Sequence, residues 1–137
     1  SITEEAYNFL NNWTYKIGVY QNPSYNVVQF LKRFRPKNKV TLYRAERYGF
    51  DINRATNKDF TSFTYSRDFV QNIVEYDREI GIKSWVKKRT IEPREILVDF
   101  TLLPNSEEFI NEVIVTRSGL SVDTIIKKDE TKRYFWK

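Results

Sequence analysis

The chain has 137 residues, enough for one compact domain, and its 40% apolar and 16% aromatic content suffices to build a core. It holds no cysteine and no histidine, which excludes disulfides, thiolate or imidazole metal sites and a Ser-His-Asp triad, and leaves acid–base work to Asp, Glu, Lys or Tyr. The formal net charge of +5 suits an acidic partner, no apolar run approaches the ~20 residues of a membrane span, and SITEEAYNF is no signal peptide.

The elements follow in chain order. Ser1 or Thr3 is expected to cap a first helix, with Glu4 and Glu5 at its positive end and Ala6, Phe9, Leu10, Trp13 and Ile17 on one face. Asn22-Pro23-Ser24 breaks the chain. A second helix is expected with Val27, Phe30, Leu31 and Phe34 on one side, stopping before Pro36. Short β-rich runs come next: Val40–Ala45, then Asp59–Thr64. Ser66 is expected to cap a helix carrying Phe69, Val70, Ile73 and Val74. Glu95–Leu103 and Glu112–Thr116 are strong strand candidates, rich in β-branched residues. Ser121–Lys127 and Arg133–Trp136 are expected to finish the sheet, with Trp136 as a packing anchor. Two helices followed mostly by strands predict an α+β fold, in one domain spanning 1–137. A protein of the cytoplasm, working as a monomer, is expected.

Three segments draw attention together: Leu42-Tyr43-Arg44-Ala45 at a strand end, Phe60-Thr61-Ser62-Phe63-Thr64 running into a helix, and Asn111-Glu112-Val113-Ile114-Val115 after the polar loop Pro104–Glu108. Singly, each has an ordinary reading as a surface arginine, a hydroxyl-bearing strand and an exposed glutamate. Two basic stretches, Lys32–Lys39 and Lys83–Arg89 with Trp85 inside it, mix cations with aromatics, as surfaces for single-stranded nucleic acid do. The first also reads as a solvated helix end. There is no Gly-rich phosphate loop and no metal-ligand spacing.

In this order, TLYRA, FTSFTYSRDFV, EILVDFTLLPNSEEFIN and EVIV resemble the Arg-Ser-Glu signature of the clostridial-toxin-like mono-ADP-ribosyltransferases of phages and bacteria. The resemblance covers about Val40 to Val115. It implies a split, mostly antiparallel β-sandwich behind N-terminal helices, NAD+ as substrate and no metal. It also implies transfer of ADP-ribose to a protein or nucleic-acid acceptor, in the bacterial or host-cell cytoplasm. Glu112 would stabilise the ribosyl cation. Arg44 would grip the diphosphate through its planar fork. Ser62 would orient Glu112, Thr64 would brace the pocket from the same strand face, and the backbone at Ala45 would hold the nicotinamide amide. Phe63, Tyr65 or Tyr76 would stack on the nicotinamide, and Arg67 or Arg78 would assist at the phosphates. The pattern departs at Ala45, where many members have Gly, and at Ile110, where arginine-modifying members have Glu. Transfer to arginine is therefore not implied. A non-catalytic nucleic-acid-binding or interaction domain and an NAD+ glycohydrolase are the competing readings.

Overall fold

A computed structural model describes residues 2–48 and 56–127. Helix α1 (Ile2–Thr14) keeps its acidic first turn and buries Ala6, Leu10 and Trp13, the spacing expected of an amphipathic helix. It ends earlier than the apolar pattern predicts. Lys16 adopts φ 59°, in the left-handed region, and the turn continues through Gly18 at φ 61°. Ile17 is thereby thrown out to solvent. Helix α2 (Tyr25–Leu31) is capped by Ser24, whose hydroxyl accepts from the Val27 N–H at 3.3 Å. It buries Val27, Val28 and Leu31.

The strands form two antiparallel sheets. Strand β1 (Val40–Arg47) pairs with β3 (Ser84–Ile91) as a two-stranded ribbon. Strands β2 (Phe60–Phe63), β5 (Val113–Thr116) and β4 (Ile96–Asp99) form a second sheet in the order β2-β5-β4. Helix α3 (Arg67–Glu79) starts at Ser66, which accepts from the Phe69 N–H at 3.0 Å as expected of an N-cap. Val70 and Val74 are buried, whereas Phe69 is exposed. One cluster, including Leu10, Val28, Phe100 and Ile114, lies between the helices and the three-stranded sheet. A smaller one, with Leu42, Phe63, Ile91, Ile96, Val113 and Val115, lies between the sheet and the ribbon. The protein is a mixed α+β fold built on antiparallel pairing.

Three sequence expectations need correction. Glu95–Leu103 is not one strand. It ends at Asp99, whose Oδ1 accepts from the Thr101 N–H at 2.9 Å and turns Phe100–Leu102 into a 3-10 turn. Residues 122–127 are helical, not extended: Ser121 Oγ accepts from the Thr124 N–H at 3.1 Å, and Val122, Ile125 and Ile126 are buried at helical spacing. Strand β3 was hidden in a segment that reads first as a basic run. The expected Ser1 cap, the Arg133–Trp136 strand and the Trp136 anchor lie outside the described residues. No helix among the described residues is long and apolar enough to cross a membrane.

Arg47 at the end of β1 ties α3 to the ribbon. Its Nε donates to Asp77 Oδ2 at 2.9 Å and its Nη2 to Oδ1 at 3.0 Å. These hydrogen bonds outweigh burial and hold the Asp77 carboxyl below its ordinary value of 3.8. A carboxyl depressed in the folded state stabilises the fold above its unfolded pKa. That contribution is lost as pH falls through the folded value. Asp77→Asn is expected to lower the melting temperature at neutral pH and to flatten the loss of stability below about pH 5. Thermal unfolding across a pH series checks this, and equal acid sensitivity in variant and wild type would contradict it.

Candidate functional site

A cleft of about 260 Å³ opens where the end of α1, the start of β2 and the middle of β1 meet. Its apolar side comes from Trp13, Val19 and Phe60, its hydroxyls from Thr61 and Ser62, and its charge from Lys16, Arg44 and Arg117. Among the described residues the wall carries three cations and no carboxylate.

Arg44 reaches this cleft because the ribbon is fastened to the three-stranded sheet beside it. Tyr43 N–H donates to Thr64 O at 2.8 Å, and Thr64 N–H donates back to Tyr43 O at 2.9 Å. Arg44 Nη1 then donates to Ser62 O at 3.0 Å. Its Nε is buried without a hydrogen-bond partner and lies 3.5 Å from Glu46 Oε1. Ser62 turns its hydroxyl toward α1, where it accepts from Trp13 Nε1 at 2.8 Å.

Glu112 stands immediately before β5. The pairs Ser62↔Ile114 and Phe63↔Val113, carried one residue further, set Glu112 opposite Thr64 and on the same sheet face as Ser62. It lies at the margin of the cleft, outside its wall. The contact runs through Lys16, whose Nζ is 3.9 Å from Glu112 Oε2. That oxygen is buried and has no hydrogen-bond partner, although the side chain is 27% exposed. The expected hydrogen bond from Ser62 to Glu112 is therefore absent, and Trp13 engages the serine instead. Arg44 and Ser62 are brought together, with Glu112 one register position away.

Other expected site residues scatter. Phe63 is buried between the sheets with the Arg89 guanidinium 5.5 Å from its ring centroid, so it offers no face to a nicotinamide. Ala45 pairs with Val86 and, by strand alternation, faces away from Arg44. Thr64 Oγ1 donates to Asn111 O at 3.4 Å, which braces the segment before Glu112. Tyr65 donates its hydroxyl to Asp99 Oδ2 at 2.6 Å, and burial, this bond and the aspartate charge together push its pKa up. Tyr76, Arg67 and Arg78 are exposed on α3, and none of them lines the cleft. Ile110 packs against the main core. The basic run Lys32–Lys39 has structural ties: Lys32 Nζ pairs with Asp123 at 2.8 Å, and Arg35 Nε donates to Ile96 O.

Sequence reasoning missed Trp13, Lys16, Asn57 and Arg117. Trp13 and Lys16 read as helix residues, with nothing to mark the left-handed turn that carries Lys16 into the cleft. Asn57 is buried and organises the start of β2, its Oδ1 accepting from the Asp59 and Phe60 N–H groups at 2.8 Å each. Its carbonyl accepts from Arg117 Nε at 2.8 Å and fixes that guanidinium in the wall. Among the described residues, the two terminal nitrogens of Arg117 have no acceptor. Burial, and then the positive charge of Arg44, lower the pKa of Arg117, with Glu46 opposing. The signal for Arg117 was its place one residue past an apolar strand that begins beside Glu112. No protein-family profile, characterised protein or solved structure matches this chain.

Two guanidiniums in one wall, with the terminal nitrogens of Arg117 pointing to no acceptor among the described residues, suit a doubly charged anion. Inorganic pyrophosphate is expected to bind, and Arg117→Gln to weaken it by about tenfold or more, the worth of one charge-assisted hydrogen bond. Calorimetric titration of wild type and variant checks this, and unchanged affinity would remove Arg117 from the site.

Proposed function

We propose that this protein is a mono-ADP-ribosyltransferase of the Arg-Ser-Glu class that moves ADP-ribose from NAD+ to a macromolecular acceptor. One observation carries the reading. Arg44 and Ser62 meet in one cleft, Arg44 being bonded to the Ser62 backbone, and Glu112, at the margin of that cleft, lies on the same sheet face as Ser62 with a buried carboxylate oxygen that accepts no hydrogen bond. Two antiparallel sheets joined at Tyr43 and Thr64 also suit a split β-sandwich.

The chemistry suits these groups. Cleavage of the bond between ribose C1 and the nicotinamide nitrogen sends the bonding pair to nicotinamide and leaves positive charge on the sugar. A desolvated carboxylate beside that carbon stabilises the charge. A lone pair on the acceptor then forms the new bond to C1, and the acceptor proton leaves to solvent. Arg44 and Arg117 supply donor forks for the diphosphate. A volume of about 260 Å³ holds the diphosphate and adjoining sugar, with the rest of the dinucleotide lying on the open side. Lys16 lies 3.9 Å from Glu112 Oε2, so its ammonium would balance the carboxylate until NAD+ enters and would then give way to the sugar cation. Ile110 packs against the main core and has no polar group with which to polarise an acceptor, which favours an acceptor other than arginine.

The test is incubation with NAD+ and cell lysate, following nicotinamide release and macromolecular label from the ADP-ribose part. Wild type is expected to release nicotinamide and label a macromolecule. Glu112→Gln is expected to slow release by about 100-fold or more, the usual loss for a group that meets charge only in the transition state. Wild-type rates in the variant reject the assignment, and release without label favours a glycohydrolase.

A further inference from the structure

The ribbon continues past the cleft. Successive β1–β3 pairs put Leu42, Arg44 and Glu46 on one face with Arg89, Lys87 and Trp85. At the Leu42 end this face packs onto the core shared with the second sheet. At Arg44 it enters the cleft. Beyond Arg44 it is open to solvent. The backbone ladder runs one pair further, with the Tyr48 N–H donating to Lys83 O at 2.9 Å. The outer half of the face therefore alternates cation and aromatic: Lys83, Trp85 and Lys87 along one strand, with Tyr48 beside Lys83.

These side chains are available. Trp85 is 48% exposed and Tyr48 71% exposed, while Lys83 and Lys87 reach solvent. Lys83 Nζ lies 5.5 Å from the Tyr48 ring centroid. The one carboxylate in the strip, Glu46, lies 3.5 Å from Arg44 Nε and 3.7 Å from Lys87 Nζ, so it orders the facing pair of cations on its cleft side. None of these groups supports the core. Large aromatic faces two residues apart from lysines, leading toward a cationic cleft, match a chain that carries a planar ring and a negative charge in every repeat.

We propose that the outer half of this ribbon face docks single-stranded nucleic acid, with bases stacking on Trp85 and Tyr48 and phosphates meeting Lys83 and Lys87. The strand would then lead into the cleft as the acceptor for ADP-ribose. That last step rests on the transferase reading; the docking itself does not. A base or a terminal phosphate brought to the mouth of the cleft would come near the sugar carbon that Glu112 serves, while Arg44 and Arg117 hold the diphosphate of NAD+.

The test uses the full chain and a labelled mixed-sequence oligonucleotide of about a dozen nucleotides, followed by fluorescence anisotropy across a salt series. Binding is expected, weakening as salt rises. Trp85→Ala is expected to weaken it about tenfold, and Trp85→Phe to restore most of the loss, because the phenyl ring keeps a stacking face. Joint replacement of Lys83 and Lys87 by Gln is expected to reduce the log–log salt slope by about 1.4. Circular dichroism and unchanged nicotinamide release without oligonucleotide confirm that the Trp85 variants are folded. Equal affinity for a duplex of the same sequence, equal competition by polyglutamate, or wild-type affinity in Trp85→Ala overturns the proposal. Nicotinamide release by a protein that fails to bind the oligonucleotide overturns this inference alone. Oligonucleotide binding without nicotinamide release overturns the transferase reading and leaves the docking surface standing.

Discussion

Two backbone hydrogen bonds between Tyr43 and Thr64 hold the two-stranded ribbon against the three-stranded sheet. Arg44 would not reach the cleft without them. They set Arg44 beside Ser62, and the pairing of β2 with β5 then puts Glu112 on the same sheet face as Ser62, one register position away. Two such bonds contribute only about 1–3 kcal/mol net. The cluster of Leu42, Phe63, Ile91, Ile96, Val113 and Val115 supplies the stabilisation that keeps the sheets together. The bonds decide the register in which that cluster closes. Apolar packing thus provides the energy and the bridge provides the address.

The end of α1 closes the other side. Trp13 is anchored through its ring in the main core and through its indole N–H on Ser62. Once Trp13 is fixed, the left-handed residue Lys16 must follow close behind, and its ammonium falls near Glu112. A glutamate oxygen buried without a hydrogen-bond donor is costly in isolation. An ammonium at 3.9 Å offsets part of that cost without saturating the oxygen. The carboxylate is left able to accept a new partner. A serine bonded directly to Glu112 would have satisfied it more fully and left it less open to a new partner.

Much of this was legible in the sequence, for identifiable reasons. The apolar spacing of Ala6, Leu10 and Trp13, the cap at Ser66, and the β-branched runs of β4 and β5 are local signals that the tertiary structure did not override. The convergence of Arg44 and Ser62 was legible only through the order of three motifs. What failed was decided by a single residue. Lys16 took a positive φ and ended α1 before Ile17. Asp99 folded its carboxylate back on Thr101 and ended β4. Ser121 capped a helix where β-branched residues suggested a strand. Arg117 and Asn57 were illegible for another reason, since their role depends on a contact spanning 60 residues of chain.

Strand β3 shows why the ribbon deserves a functional reading beyond its structural one. Among the described residues it is a sheet edge, and lysines on an edge strand are a common defence against unwanted pairing. Lys83, Lys87 and Lys88 alone would ask for no further account. Trp85 does not fit that defence. A half-exposed tryptophan at a sheet edge invites the association that the lysines oppose. The opposite face of the same ribbon does pack against α3 through Val70, Val74 and the Arg47–Asp77 pair, so apolar cover was at hand one residue away. A ring kept in water between two cations, on the face that runs into the cleft, is best explained by something planar and negatively charged that covers it part of the time.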